Sequence, residues 1–115
     1  MLGLSSSVRV FVYNTAVSMH SSFRRLSGLV LSELCEDSLS GHLFLFFNKP
    51  KTSVKILYFD RNGYVIWYKR LEQGSYSVLE KREINYQELM CMLEGIEISS
   101  VKKKKRYERK ERSCK

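Results

Sequence analysis

The strongest constraint on how this chain can fold lies between residues 53 and 71, SVKILYFDRNGYVIWYKRL. Two runs rich in β-branched and aromatic residues flank Asp60-Arg61-Asn62-Gly63, and Asn-Gly is a pair that suits a tight hairpin turn. With Asn62 and Gly63 as the loop, Arg61 faces Tyr64, Leu57 faces Tyr68 and Lys55 faces Arg70. One face then carries Val54, Ile56, Tyr58, Val65, Trp67 and Leu71, with Asp60 and Lys69 among them. The other carries Lys55, Leu57, Phe59, Arg61, Tyr64, Ile66, Tyr68 and Arg70. Cations interleaved with aromatics are what a nucleic-acid-facing sheet uses, joining phosphate attraction to stacking. The same residues suit packing beneath a helix, with Lys and Arg stems reaching out to solvent.

Around the hairpin the pattern is mixed. Residues 8–13 (VRVFVY) alternate as a strand, and residues 42–48 supply another, joined to the hairpin through a turn at Asn48-Lys49-Pro50-Lys51. Between them, Met19, Phe23, Leu26, Leu29, Val30 and Leu34 recur at helical spacing, which predicts a helix over 17–34 capped by Asn14, Thr15 or Ser18. Residues 36–41 read as a turn, and residues 76–79 as a further short strand. The last element has the sharpest local signal. Asn85 and Glu88 have the spacing of a capping box, Ile84 and Leu89 that of a staple, and Gly95 stands where the helix stops. The expected fold is α+β: one small antiparallel sheet of about four to five strands packed with two helices over residues 1–98. A basic, disordered C-terminal tail is expected over 99–115.

The charge sits mainly on that tail. Of the formal net +8, residues 101–115 carry nine Lys and Arg against two Glu. Lys102, Lys103, Lys104, Lys105 and Arg106 are consecutive. Such a block reads either as a solubilising tail or as an arm that seeks phosphate and releases counterions. Within the rest, residues 42–70 hold six cations against Asp60 alone, whereas 71–100 hold two against six acids.

Catalytic patterns are missing. Neither histidine, His20 or His42, has a Cys or carboxylate at metal-ligand spacing, and Asp60 reads as a turn residue. No phosphate-binding glycine loop, nucleophile elbow or paired carboxylate is visible. Cys35 and Cys91 fall in helical stretches among apolar neighbours, as buried inert thiols do. With Cys114 they make neither a disulfide framework nor a zinc pattern, which suits the cytoplasm. No signal peptide or run of about 20 apolar residues appears. The expectation is a non-enzyme without metal or cofactor.

The run from Ser40 to Tyr76 resembles a family of bacterial mobile-element proteins. These are the Orf2 accessory proteins of insertion-sequence family 66, also called TnpB and unrelated to the RNA-guided nucleases of that name. The resemblance is carried by Ser40-Gly41-His42-Leu43-Phe44, by Val54-Lys55-Ile56-Leu57-Tyr58 with Asp60 and Gly63, and by Trp67-Tyr68-Lys69-Arg70-Leu71-Glu72 with Gly74. Leu89, Leu93, Glu94, Gly95 and Ile96 fit the family's closing helix. One stretch departs. Where the family commonly has Asp-Met-Arg-Lys and then Phe-Asp-Gly-Leu, this chain has Ser18-Met19-His20-Ser21 and Phe23-Arg24-Arg25-Leu26. The cation pair has moved into the helix and the acids are gone.

The resemblance implies a role in transposition beside a separate transposase. On that basis the expected function is a non-catalytic accessory protein that binds DNA near element ends. Lys55, Arg61, Lys69, Arg70 and the cations of 102–106 would contact phosphate, with Tyr64 and Tyr68 stacking or positioning. The rival expectation is an interaction module that docks on the transposase without touching DNA, through the aromatic hairpin and the helix over 85–95.

Overall fold

A computed structural model of the chain describes residues 7–95. The expected hairpin is its longest feature: β3 (Ser53–Asp60) runs antiparallel to β4 (Gly63–Arg70) over their full length. The loop, however, is Arg61-Asn62, and Gly63 opens β4 opposite Asp60. Arg61 takes the left-handed conformation (φ 55), and the Asn62 amide returns to the Asp60 carbonyl. The physical reason lies along the strands. The Asn-Gly loop would set Lys55 against Arg70, whereas the observed register sets Lys55 against Tyr68 and Ile56 against Trp67. Each strand position thus moves to a partner two residues away, and an even shift keeps every side chain on its expected face.

The rest of the sheet assembles on β3. Strand β2 (Leu43–Phe47) pairs antiparallel with it, with Leu45 opposite Ile56. Strand β1 (Val10–Tyr13) lies beside β2, and the two-residue β5 (Glu83–Ile84) closes the far edge. The order is β4-β3-β2-β1-β5. Because β1 and β2 run parallel, the sheet is mixed and not wholly antiparallel as expected. A parallel neighbour requires a crossover, and α1 (Phe23–Ser32) provides it.

This first helix is shorter than the periodicity suggests. The Val17 amide bonds to the Phe47 carbonyl at 3.0 Å, and the Ser21 amide to the Ser18 carbonyl, so residues 17–22 are held in a turn at the sheet's end. Ser22, and none of the three expected residues, takes the cap position, and its side chain makes no capping bond. The second helix, α2 (Tyr86–Glu94), follows the sequence closely. Asn85 and Glu88 form the reciprocal capping box, and Gly95 ends the helix at φ 80.

Two cores lie on the two sides of the sheet. On one, Leu26, Leu29, Val30 and Leu34 pack on Phe11, Phe44, Phe46 and Leu57. On the other, α2 supplies Leu89 and Met92 to Val10, Val12, Leu45, Val54 and Ile56. Residues 76–79 form no strand. Instead the Tyr76 amide bonds to the Lys51 carbonyl and its ring meets Phe47 at 5.8 Å, which seals the α2 side. Cys35 lies just past α1, exposed and with φ 54, so it is not the buried helical thiol expected; Cys91 is half-buried on α2. Among the described residues no helix is long and apolar enough to cross a membrane. The expected boundary at residue 98 and the tail beyond it lie outside the described residues.

Candidate nucleic-acid interface

The face that interleaves cations with aromatics is the one that α1 covers. Leu57 is fully buried there, and Tyr64 and Ile66 are partly buried beneath the helix layer. It is therefore a packing face at its centre, and only its margin reaches solvent.

Lys55 shows the consequence. It is 9% exposed, its Nζ donates to the Ser21 carbonyl at 2.7 Å, and it lies 5.0 Å from the centre of the Tyr68 ring. The ammonium is occupied in anchoring the turn before α1, so Lys55 is corrected from a surface cation to an internal one. Tyr64 is half-buried, and its hydroxyl shares a 2.6 Å hydrogen bond with Ser38 Oγ. Tyr68 is 50% exposed and forms the outer wall of the Lys55 site. Lys69 and Arg70 are exposed at the end of β4, on opposite sides of the sheet, and Arg61 is exposed on the hairpin turn. Lys102, Lys103, Lys104, Lys105 and Arg106 lie outside the described residues.

Arg24 and Arg25 are not among the candidate residues that the sequence pattern picks out. Both are exposed in the first turn of α1, where no acidic residue stands. Because Ser21 is held by Lys55, which lies against Tyr68, that turn opens beside Tyr68. The signal was present: with Leu26, Leu29 and Val30 turned inward, helical spacing leaves Arg24 and Arg25 outward.

Cations differ sharply across the sheet. At the β5 end they are matched. Arg9 grips Glu83 with a two-pronged contact at 2.9 and 2.8 Å, Lys81 holds Glu88 at 2.7 Å, and Arg82 meets Glu36 at 3.2 Å while also donating to the Leu34 carbonyl. The Arg9 hydrogen bond holds the Glu83 carboxyl below the usual carboxylate range and raises the guanidinium in turn. Glu88 is likewise lowered, by Lys81 and by the Asn85 amide. At the β4 end, Arg61 and Arg70 lie 4.0 Å from Asp60 and Glu72, the limit of an ion pair. No ion pair is formed by Arg24, Arg25 or Lys69 among the described residues.

Other chemistry is sparse. An open groove between the ends of β4 and α2 is lined by Lys69, Arg70, Glu72, Leu93 and Glu94, and its mixed charges do not make a phosphate pocket. His42 accepts the Arg9 amide through Nδ1 at 3.0 Å and sits edge-on to Phe11, a turn role. Among the described residues no cluster of His, Cys, Asp and Glu could hold a metal ion.

Comparison with known proteins agrees with the resemblance noted in the sequence. Residues 8–103 match the family described as IS66 Orf2 like protein, and the chain belongs to that family. This places it among the accessory proteins associated with transposition and implies association with a transposase. A curated relative, the uncharacterized protein y4jC of Sinorhizobium fredii, is 26% identical over 108 residues, which cover 90% of this chain and 92% of that protein. No solved structure matches.

Proposed function

We propose that this transposition accessory protein binds DNA through its backbone phosphates, using the β4 side of the sheet and the first turn of α1. The single observation behind this reading is the division of cations just described: those at the β5 end are neutralised by carboxylates within 3.2 Å, and those at the β4 end are not. Unmatched surface cations are the groups that gain by displacing counterions from a polyanion. The contact set is Arg24, Arg25, Arg61, Lys69 and Arg70, with Tyr68 against sugar or base and the cations of 102–106 adding unspecific attraction. Lys55 is left out because its ammonium is already bonded. Phosphate contacts of this kind position DNA and do not by themselves specify its sequence.

The test is fluorescence anisotropy of a labelled duplex, element-end or scrambled, across a salt series. The logarithm of affinity should fall linearly with that of salt concentration, and replacing Arg24 and Arg25 by Ala should lower the slope by about one per lost phosphate contact. Affinity that ignores salt sinks the reading. The rival, docking on the transposase without DNA contact, draws on Leu31, which is 70% exposed on the outer side of α1. Co-purification with the transposase that survives nuclease and high salt, joined to a flat anisotropy titration, would establish it instead.

A further inference from the structure

β4 is the outer strand of the sheet, eight residues long, unbroken by proline or bulge, and the direction of its free backbone groups can be worked out. The Leu71 amide donates to the Thr52 carbonyl at 2.8 Å, one step beyond the Ser53–Arg70 pair. Hydrogen-bonded and non-bonded pairs alternate along an antiparallel ladder. Val65, Trp67 and Lys69 therefore exchange bonds with β3, while the N–H and C=O groups of Tyr64, Ile66, Tyr68 and Arg70 point away from the sheet. Among the described residues no hydrogen bond reaches those groups. The side chains tell the same story. Residues 53–57 of β3 are buried, whereas their neighbours Ile66 and Trp67 on β4 are only partly so.

We propose that β4 pairs antiparallel with β4 of a second copy, joining two sheets into one across a two-fold axis at Trp67. A two-fold perpendicular to the sheet keeps each face on its own side, so facing residues must share a face and differ by an even number of positions. Centred on Trp67, the pairing sets Tyr64 opposite Arg70 and Ile66 opposite Tyr68 of the second copy, and engages every outward backbone group. Centred on Ile66, it would strand Arg70 opposite the turn residue Asn62.

Charge favours a second copy as the occupant. The strand is uncharged from Gly63 to Tyr68 and cationic at Lys69 and Arg70. Antiparallel self-pairing sets Arg70 against the Tyr64 ring and Lys69 against Val65, with no like charges opposed; parallel self-pairing in register would oppose them. An edge left open at this length is otherwise a hazard of uncontrolled association. The pairing is argued from the open backbone edge and not from DNA binding, although Tyr68, Lys69 and Arg70 of the proposed contact set lie along the paired strand. It would carry both copies of α1, and so both pairs of Arg24 and Arg25, on one side of the joined sheet.

Sedimentation equilibrium of the full chain, from low to high micromolar concentration, tests this. The expected mass at high concentration is twice the 13.5 kDa of the chain, and it should fall on dilution. Val65→Lys sets the introduced ammonium against Lys69 of the other copy, twice per dimer, and should weaken association roughly tenfold. Adding Lys69→Glu should restore it, because positions 65 and 69 meet only between copies. Tyr68→Pro removes an outward N–H that the β3 ladder does not use, and should abolish the dimer while the circular dichroism melt stays cooperative. If a variant does not fold, the unmodified chain still decides: Trp67, the sole tryptophan, should shift its emission to the red on dilution, in step with the mass. A monomer at every concentration overturns the proposal and leaves the edge to a strand from another protein. A dimer indifferent to Val65→Lys, one that Lys69→Glu does not rescue, or Trp67 emission that stays constant as the mass falls overturns it equally.

Discussion

The two edges of the sheet treat similar residues in opposite ways. At the β5 edge, Arg9, Lys81 and Arg82 each hold a carboxylate, and the rings between them are enclosed: Phe11 is fully buried, stacked on Phe44, with the Arg9 and Arg82 guanidinium groups 4.9 and 5.4 Å from its centre. At the β4 edge, Arg61, Lys69 and Arg70 have no close carboxylate, and Trp67 and Tyr68 are left partly open. Neither edge differs much in residue types. The difference is that one set of charges closes the fold upon itself and the other remains available for something outside it.

The largest effect should separate the edges by stability. Phe11→Ala empties a fully enclosed site and should cost about 3–5 kcal/mol in urea unfolding. Ile66→Ala, at the half-buried edge, should cost less than about half of that, because the lost methyl groups are already partly wet. Equal losses at the two positions would mean that β4 is as firmly packed as β1 and would remove the contrast.

Next in size is the division of labour between Lys55 and Arg70, which the strand pattern alone groups together as surface cations. Arg70→Ala should weaken duplex binding about tenfold or less and lower the salt slope by roughly one, with little change in stability. Lys55→Met should do the reverse. The Ser21 carbonyl loses its donor, so stability falls by about 1–3 kcal/mol while the slope stays fixed. A slope that drops for Lys55→Met would return that residue to the DNA-facing set.

These contrasts mark what could be read from the sequence. The hairpin, the sorting of its faces and the Asn85–Glu88 capping box all rest on neighbours a few positions apart, where turn chemistry and periodicity decide. The observed register differs from that of an Asn-Gly loop by two residues, an even shift that leaves each side chain on the same face. What was not legible depends on distant partners. The parallel β1–β2 pairing, the small β5, and the Arg9–Glu83 contact across 74 positions have no local signature. The burial of Lys55 required knowing that α1 lies over its face, 34 positions from Ser21. Composition showed which residues could face DNA, and only the third dimension showed which of them were already occupied.

The capping box offers a smaller and more local test. Asn85→Ala removes the acceptor of the Glu88 amide at 2.7 Å and should cost about 1 kcal/mol. The loss should fall on the α2 side, so duplex binding at the β4 edge should be unmoved at temperatures well below the melt. A parallel loss of binding would couple the two ends and weaken the separation drawn between them.

The smallest expected effect is also the most direct probe of the matched edge. In the folded chain the Arg9 hydrogen bond holds the Glu83 carboxyl below its ordinary value near 4.5, so the folded state takes up that proton less readily than the unfolded one. The sign follows from linkage. The Glu83 contribution is complete above the ordinary carboxylate value and is lost as pH falls through the lowered one. Glu88 adds a second contribution with the same sign. The stability difference between the native chain and Glu83→Gln should therefore be widest near neutrality and close as the solution is acidified below about pH 4. Raising the salt should narrow it too, since both partners are solvent-exposed. Urea unfolding of the two chains at several pH values reads this directly. A difference that stays constant into acid would mean that Glu83 holds its edge by shape and not by charge, and the contrast between the edges would then rest on β4 alone.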